Sequence, residues 1–349
     1  MDNTVLFFGA GFSRASGLPD TDSIANTFAE LEPTNATPAE IQYFISRRLT
    51  EFWMGVFGWH PGRKTPSLED HFTLLDLAAN TGHNLGHYTP RQLRAIRRFS
   101  IHRIFDILDQ PLAESPEACE LMQAARTGHG NTVITTNWDV AAERFLGNRA
   151  DLWYGFQAQY VDGGPVPRSE LALLKLHGSS NWMYCDSCRR IYIKTIVGCK
   201  EALHGWTYLH KDDFRQFPPD QIDLDRLGER QRHHCNHCGL DLSARVATFS
   251  YRKALGFFQF QSVWDKALES MRECRTWVFI GYSLPQADFE IRALIKTAQM
   301  ADQADGRRRI VAVVGHNRRS ACNYRRFFGD AVKIHERNLD EWWQTQNVV

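Results

Sequence analysis

Four groups of residues in this sequence carry reactive or ligand-binding chemistry. His177 follows the apolar stretch Leu171 to Leu176 and is followed by Gly178, Ser179 and Ser180. An imidazole at the end of a strand and facing a cleft titrates near neutrality and can act as a general base. A lone histidine among fourteen is more often structural or on the surface; the strand-end position and the Gly-Ser that follows single out this one. Thr135-Thr136-Asn137-Trp138-Asp139 follows another strand-like run, so Asn137 and Asp139 stand at a carboxyl end, where ligands collect in open parallel sheets. There a carboxamide can orient a hydroxyl or a water, and a carboxylate can accept from an amide. The competing reading makes Asn137 the N-cap of a helix starting at Trp138 or Asp139. Gly9-Ala10-Gly11-Phe12-Ser13 follows the apolar run Val5 to Phe8. Its glycines let backbone approach a ligand, and the turn can aim N–H groups at a diphosphate; a purely structural turn is the alternative. Finally, Cys185/Cys188 and Cys235/Cys238 form two CxxC pairs, whose four thiolates can close a tetrahedral zinc site. A redox CxxC is the rival, but neither pair adjoins a βαβ unit. His233, His234 and His237 crowd the second pair as possible substitute ligands.

The elements that must position these groups follow from hydrophobic periodicity. Short, nearly all-apolar strands are expected at Val5 to Phe8, Asn131 to Thr135, Leu171 to Leu176, Trp277 to Gly281, Ile310 to Gly315 and Val332 to His335. Helices are expected at Pro38 to Phe57, about Leu68 to Ala79, about Arg91 to Leu108, Trp138 to Leu146, Ala287 to Met300 and Arg318 to Phe328. Strands alternating with helices predict an α/β fold, a Rossmann-like parallel sheet with helices on both faces. The expected organisation is a core of residues 1–181 and 252–349, a helical insertion at about 38–110, and a small zinc-binding module at 182–251, where the alternation lapses around Pro218-Pro219.

Composition narrows the class. The 349 residues carry 41 Lys+Arg against 40 Asp+Glu and are 43% apolar, which excludes disorder, collagen and coiled coil as global descriptions. The formal net charge of +1 argues against a surface that tracks nucleic acid or an anionic membrane as a whole. Between Cys185 and Cys238 nine Lys/Arg face eight Asp/Glu, so the cysteine module has no basic footprint. Arg91 to Arg103, Arg307 to Arg309 and Arg325-Arg326 are more basic; such runs are mostly solvated faces, or they dock an acidic partner or a nucleic acid within a larger assembly. No apolar run approaches the ~20 residues of a membrane span, and Met1-Asp2-Asn3-Thr4 has no basic region of a secretory signal. The cytoplasm is the expected compartment. Cys119, Cys199, Cys274 and Cys322 read as small buried hydrophobes.

The unbroken register from Gly9 through Ser13 to Ser16-Gly17-Leu18-Pro19-Asp20 resembles the opening motif of the sirtuin (silent information regulator) family. Thr135-Thr136-Asn137-Trp138-Asp139, Leu176-His177-Gly178-Ser179, Gly281-Tyr282-Ser283-Leu284 and the paired cysteines resemble the family's later elements, in the same order. The resemblance implies NAD as substrate, with Gly9, Ala10, Gly11, Ser13, Asp20 and Asp139 at the diphosphate and nicotinamide side and Gly281, Ser283 and Asn317 at the adenosine side. It implies His177 as base, Asn137 as the holder of water, and a structural zinc on Cys185, Cys188, Cys235 and Cys238. Thr21-Asp22 stand where family deacylases have phenylalanine-arginine, which argues against peptide deacylation. Phe279 to Pro285 with Ala287-Asp288-Phe289 looks more like the prokaryotic sirtuin-like proteins of anti-phage defence. The function expected from the resemblance is therefore NAD hydrolysis to ADP-ribose and nicotinamide, gated by homo-oligomerisation or a separate partner chain. Protein deacylase or mono-ADP-ribosyltransferase activity, and a non-catalytic NAD- or zinc-dependent scaffold, are the alternatives.

Overall fold

The fold is taken from a computed structural model. The described residues are 2–28, 39–108, 110–146, 152–161, 163–166, 171–194, 209–217, 233–244, 258–305, 310–315 and 317–346. Pro38, Cys199, Pro218-Pro219 and Arg307 to Arg309 lie outside them. The chain forms two compact units. The first comprises Met1–Leu18, Leu112–Ser179 and Leu255–Val349, and the second Pro19–Pro111 and Ser180–Ala254.

The first unit is built on a seven-stranded sheet. In chain order its elements are β1 (Thr4–Phe8) and α1 (Ala10–Ser13). The second unit contributes the next four helices, α2 (Thr21–Phe28), α3 (Ala39–Phe57), α4 (Leu68–Thr81) and α5 (Pro90–Leu108). The first unit resumes with α6 (Pro116–Thr127), β2 (Thr132–Thr135), α7 (Ala141–Leu146), β3 (Leu152–Trp153), β4 (Gln159–Tyr160) and β5 (Leu171–Lys175). The second unit then adds β6 (Trp182–Tyr184), β7 (Ile191–Ile193), α8 (Lys211–Phe214) and β8 (Ser243–Ala244). The first unit closes with α9 (Phe258–Glu273), β9 (Thr276–Ile280), α10 (Phe289–Asp305), β10 (Ile310–Val314), α11 (Arg318–Phe328), β11 (Val332–His335) and α12 (Leu339–Gln346).

The sheet order is β11-β10-β9-β1-β2-β5-β3, and every pairing is parallel. All five residues of β1 and all five of β5 are buried, as parallel strands covered on both faces must be. From β1 the sheet extends on one side through β2, β5 and the edge strand β3, and on the other, with strands that come later in the chain, through β9, β10 and β11, so the order reverses at β1. The Phe8 and Phe12 rings stack at 3.8 Å, which seats α1 directly over the strand it follows. Helix α6 starts at Pro116 with Ser115 Oγ accepting from the Ala118 N–H at 3.2 Å, a cap that fixes its entry.

Several boundaries differ from the sequence reading. Helix α7 begins at Ala141 rather than Trp138, because Asp139 Oδ1 accepts the Ala141 N–H at 3.0 Å and so caps the helix two residues later. The short α1 and α8, and helices α2, α6, α9 and α12, have no counterpart in the sequence reading; α9 does carry the period, with Phe260, Val263, Ala267 and Met271 buried.

In the second unit, α3, α4 and α5 enclose Phe44, Phe52, Trp53, Phe72 and Phe99. At the centre of this aromatic core is His71, fully buried. Trp53 Nε1 donates to His71 Nδ1 at 2.9 Å, His71 Nε2 lies 2.8 Å from Ser100 Oγ, and Ser100 Oγ donates to the Ile96 carbonyl at 2.7 Å. Because Nδ1 accepts, the ring's proton sits on Nε2 and the imidazole is neutral. Burial pushes its pKa down to about 3. An unfolded histidine takes a proton below pH ~6.5 that the folded ring refuses. The stability tied to this group is therefore complete above pH ~6.5 and falls by about 1.4 kcal/mol per pH unit on acidification toward the folded pKa. Between pH 7 and pH 5 the wild type is expected to lose about 2 kcal/mol more than His71→Gln in denaturant titrations. Parallel losses in the two proteins would refute it.

Candidate functional site

The parallel register carries the candidate residues to one edge of the sheet. Phe8 of β1 pairs with Thr135 of β2 and Ile280 of β9, Thr135 with Lys175 of β5, and Ile280 with Val314 of β10. Gly9 and Gly281 each lie one residue beyond that level, Asn137 and His177 two beyond it, and Asn317 three. Read across the carboxyl edge, the order is Asn317, Gly281, Gly9, Asn137, His177, on strands spaced about 4.8 Å apart. The middle of this row is the point where strand order reverses, the usual ligand crevice of an open α/β sheet. Backbone bonds continue past the strand ends: Thr136 N–H donates to the Phe8 carbonyl at 3.3 Å and Leu176 N–H to the Thr135 carbonyl at 2.9 Å. The loops bearing Asn137 and His177 therefore run side by side, and Ser179 Oγ reaches the Trp138 carbonyl at 3.5 Å.

Asn137 is pinned by its own amide. Its Nδ2 donates to the Gly9 carbonyl at 2.8 Å and to Ser13 Oγ at 2.9 Å, while its backbone N–H donates to Thr135 Oγ1 at 3.0 Å. Ser13 Oγ in turn donates to Asp139 Oδ2 at 2.8 Å. This network leaves Asn137 Oδ1 as an acceptor for a hydroxyl or a water. It also answers the capping alternative, since Asp139 caps α7 and the Asn137 side chain turns to the glycine turn instead.

The glycines have a packing reason of their own. A Cβ on Gly9 would stand 2.5 Å from Tyr282 Cα, and one on Gly11 2.6 Å from Gly281 Cα. The N–H groups of Gly9, Gly11 and Phe12 donate to the carbonyls of Ile280, Gly281 and Gly9 at 3.1, 2.9 and 2.9 Å. The turn is thus a joint between the β1 and β9 crossovers, and it offers an anion fewer free N–H groups than the glycine spacing suggests.

His177 is buried and lies two residues beyond the end of β5. Gly178, at φ +82°, returns its N–H to the Lys175 carbonyl at 3.1 Å and so closes a turn around the imidazole. Two residues before it, Lys175 is the one charged residue of β5. Its Nζ donates to the Asp139 carbonyl and, at 2.9 Å, to Glu143 Oε1, which also accepts from Tyr154 Oη at 3.4 Å. Both charged side chains are 1% exposed. Sequence reasoning missed this pair, although a lone lysine inside an apolar strand was the signal for it.

On the other side of β1, the Gly281 to Leu284 loop is held through its carbonyls. Tyr282 O accepts from Tyr324 Oη at 3.0 Å, Ser283 O from Asn323 Nδ2 at 3.0 Å and Leu284 O from Arg292 Nη1 at 3.2 Å. Ser283 is exposed. Asn317 caps α11 by accepting the Arg319 N–H at 2.8 Å. Asp20 falls in the second unit, where Oδ1 accepts from the Ser23 N–H and Oγ at 2.9 and 2.7 Å at the start of α2.

The four cysteines lie together in the second unit. Their Sγ atoms all stand within 4.8 Å of one another, with Cys185 to Cys238 at 3.4 Å and Cys188 to Cys235 at 3.3 Å. A tetrahedral zinc with ~2.3 Å bonds to sulfur sets S···S edges near ~3.8 Å, so the donor set fits. Two matching turns present the thiols. Cys185 N–H donates to Arg190 O and Arg189 N–H to Cys185 O, as Cys235 N–H does to Leu240 O and Gly239 N–H to Cys235 O. Arg189 and Gly239 occupy the same left-handed position, at φ +55° and +74°. Burial pushes the Cys188 thiol up to about 12. At Cys235 burial acts in the same sense, but hydrogen bonds from Tyr192 and the backbones of Cys238 and His237 bring it down to about 6. His234 pairs instead with Asp241 at 3.0 Å, and the ligand atoms that stand together are the four sulfurs. Purified protein is expected to carry one zinc per chain by elemental analysis, and Cys235→Ser to lose it together with cooperative unfolding of this unit; full zinc content in that variant would overturn the assignment.

No family model and no curated protein matches the sequence. Among solved structures the chain is similar to a mutant Sir2 homologue in complex with 2'-O-acetyl-ADP-ribose, at 14% identity and a TM-score of 0.45, covering 98% of this chain and 89% of that one. It is likewise similar to a Sir2 homologue mutant with ADP-ribose, at 14% identity and 0.44 over the same shares. A Sir2 complex with an inhibitor, 2'-O-acetyl-ADP-ribose and a deacetylated p53 peptide gives 14% and 0.42 over 98% and 91%. Among the described residues no helix is long and apolar enough to cross a membrane.

Proposed function

We propose that the first unit binds NAD along its carboxyl edge and hydrolyses the bond between nicotinamide and ribose. The observation that carries this reading is the tie of Asn137 to Gly9 and Ser13, beside the loop that bears His177. Supporting it are the sirtuin-like motifs at Gly9 to Ser13, Asn137 to Asp139, His177 to Ser179 and Gly281 to Leu284, which the register gathers at one edge.

In this reading the diphosphate rests at the Gly9, Ala10, Gly11 and Ser13 turn and the adenosine near Gly281, Ser283 and Asn317. The electron pair of the N-glycosidic bond leaves with the ring nitrogen of nicotinamide, and positive charge builds on the ribose. Water held by Asn137 Oδ1 adds its oxygen to that carbon while His177 accepts a proton, giving ADP-ribose and nicotinamide. Zinc on the four cysteines is structural, since a closed site leaves no position for substrate. The chain acts as an anti-phage effector in the cytoplasm, restrained until it self-assembles or meets a partner chain, with the α3 to α5 helices as contact surface.

Chromatography of NAD incubated with the protein, with and without candidate partners, tests the chemistry. His177→Ala and Asn137→Ala are each expected to release nicotinamide about 10²- to 10⁴-fold more slowly than wild type. Equal release from wild type and His177→Ala removes the imidazole from the mechanism. Acyl transfer from an acylated peptide in the same assay would replace hydrolysis by deacylation.

A further inference from the structure

The geometry points to α11 as a docking surface for the phosphate backbone of a nucleic acid. Arg318, Arg319, Arg325 and Arg326 are all exposed, and the opposite face of the helix, Ser320, Ala321, Tyr324 and Phe328, is buried. At 100° per residue the four arginines fall in one stripe about 120° wide and about 12 Å long. The helix contains no acidic residue. Among the described residues none of the four guanidinium groups has an ion-pair partner, whereas the neighbouring Arg292 and Lys296 of α10 are engaged with the Leu284 and Phe327 carbonyls and the Phe327 ring. Arg318 and Arg319 also stand in the first turn, where the helix dipole disfavours cations. A chain with a net charge of +1 thus presents on one ridge four charges that have no ion-pair partner among the described residues.

Charge complementarity makes the occupant a polyanion, and the residue types select its kind. All four cations are arginines, whose planar fork grips phosphate oxygens in pairs. Between them the stripe exposes only Cys322, which is not the buried hydrophobe its sequence setting suggests, so the stripe lacks the aromatic and apolar centre that anchors a protein partner. The same helix, through Tyr324 and Asn323, holds the carbonyls of Tyr282 and Ser283. Docking on the ridge therefore bears on the loop after β9, whatever that loop binds.

The test is fluorescence anisotropy of full-length protein with labelled 20-nucleotide RNA, single-stranded DNA and duplex DNA, with poly-glutamate as competitor. Four phosphate contacts are expected to give a slope of about −3 to −3.5 for log affinity against log salt. Arg318→Gln/Arg319→Gln and Arg325→Gln/Arg326→Gln should each make it shallower by about 1.4 to 1.8, with unchanged thermal unfolding because the side chains are exposed. RNA, single strand and duplex are separate arms, and binding in any of them with that slope supports the proposal. Absence of binding at low salt, a slope indifferent to both variants, or poly-glutamate competing as well as the oligonucleotides would overturn it.

Discussion

Gly281→Ala is expected to cost more than about 4 kcal/mol, at the far end of single-substitution effects. Two terms add. The residue sits at φ +63°, a left-handed conformation that costs an L-residue about 1–2 kcal/mol. Its new Cβ would also stand 2.3 Å from Phe12 N, 2.4 Å from Gly11 C and 2.5 Å from Gly11 Cα. All three are backbone atoms, and Gly11 is itself bonded to the Gly281 carbonyl at 2.9 Å, so no side chain can swing aside. The crossovers after β1 and β9 must separate, and the row of residues from Asn317 to His177 is cut in the middle. Denaturant unfolding measures the loss; a midpoint within error of wild type would show that the two turns do not meet as described. Gly315→Ala is the control, because its Cβ meets nothing within 4 Å.

The second expectation concerns Lys175. Lys175→Met leaves Glu143 1% exposed with no cation, and an uncompensated buried charge costs about 3–5 kcal/mol. The double variant Lys175→Met/Glu143→Leu removes both charges and should recover most of that loss, since apolar replacement of a whole buried pair is often neutral. The Asp139 carbonyl, however, loses its donor in both proteins. Hydrogen exchange at residues 136–142 should therefore quicken in the double variant even where global stability returns. Equal stability of the single and double variants would mean the pair is not coupled; unchanged exchange would mean that Lys175 does not hold the Asn137 to Asp139 loop.

How far the sequence anticipates these features depends on the range of the forces involved. Nearly continuous apolar runs at β1, β5, β9 and β10 declare a doubly covered parallel sheet, because burial on both faces leaves few positions for polar residues. Helix α11 and strand β11 end where their caps and periodicity place them, at Arg318–Phe328 and Val332–His335. The cysteine tetrad was legible from spacing alone. Relations between distant segments were not. Gly9-Ala10-Gly11 reads as a ligand turn, and only the register of β1 on β9 shows that its glycines also admit Gly281 and Tyr282. Asn137 reads equally as a cap or a ligand group until Asp139 is seen to take the cap. The lone lysine of β5 signals that some buried partner must exist, but its identity as Glu143 is fixed only once α7 lies beside β5.

The central place of β1 also governs how the polypeptide can be made. Val5 pairs with Thr132 on one side and Trp277 on the other, partners that leave the ribosome roughly 130 and 270 residues later. At about 5–20 residues per second, this fully buried strand waits on the order of 15 to 50 seconds for its second neighbour. Nascent β1 is therefore a segment for chaperones to shield, and yield on overexpression should respond to slowed elongation or added holdase more than to changes in the strands completed last.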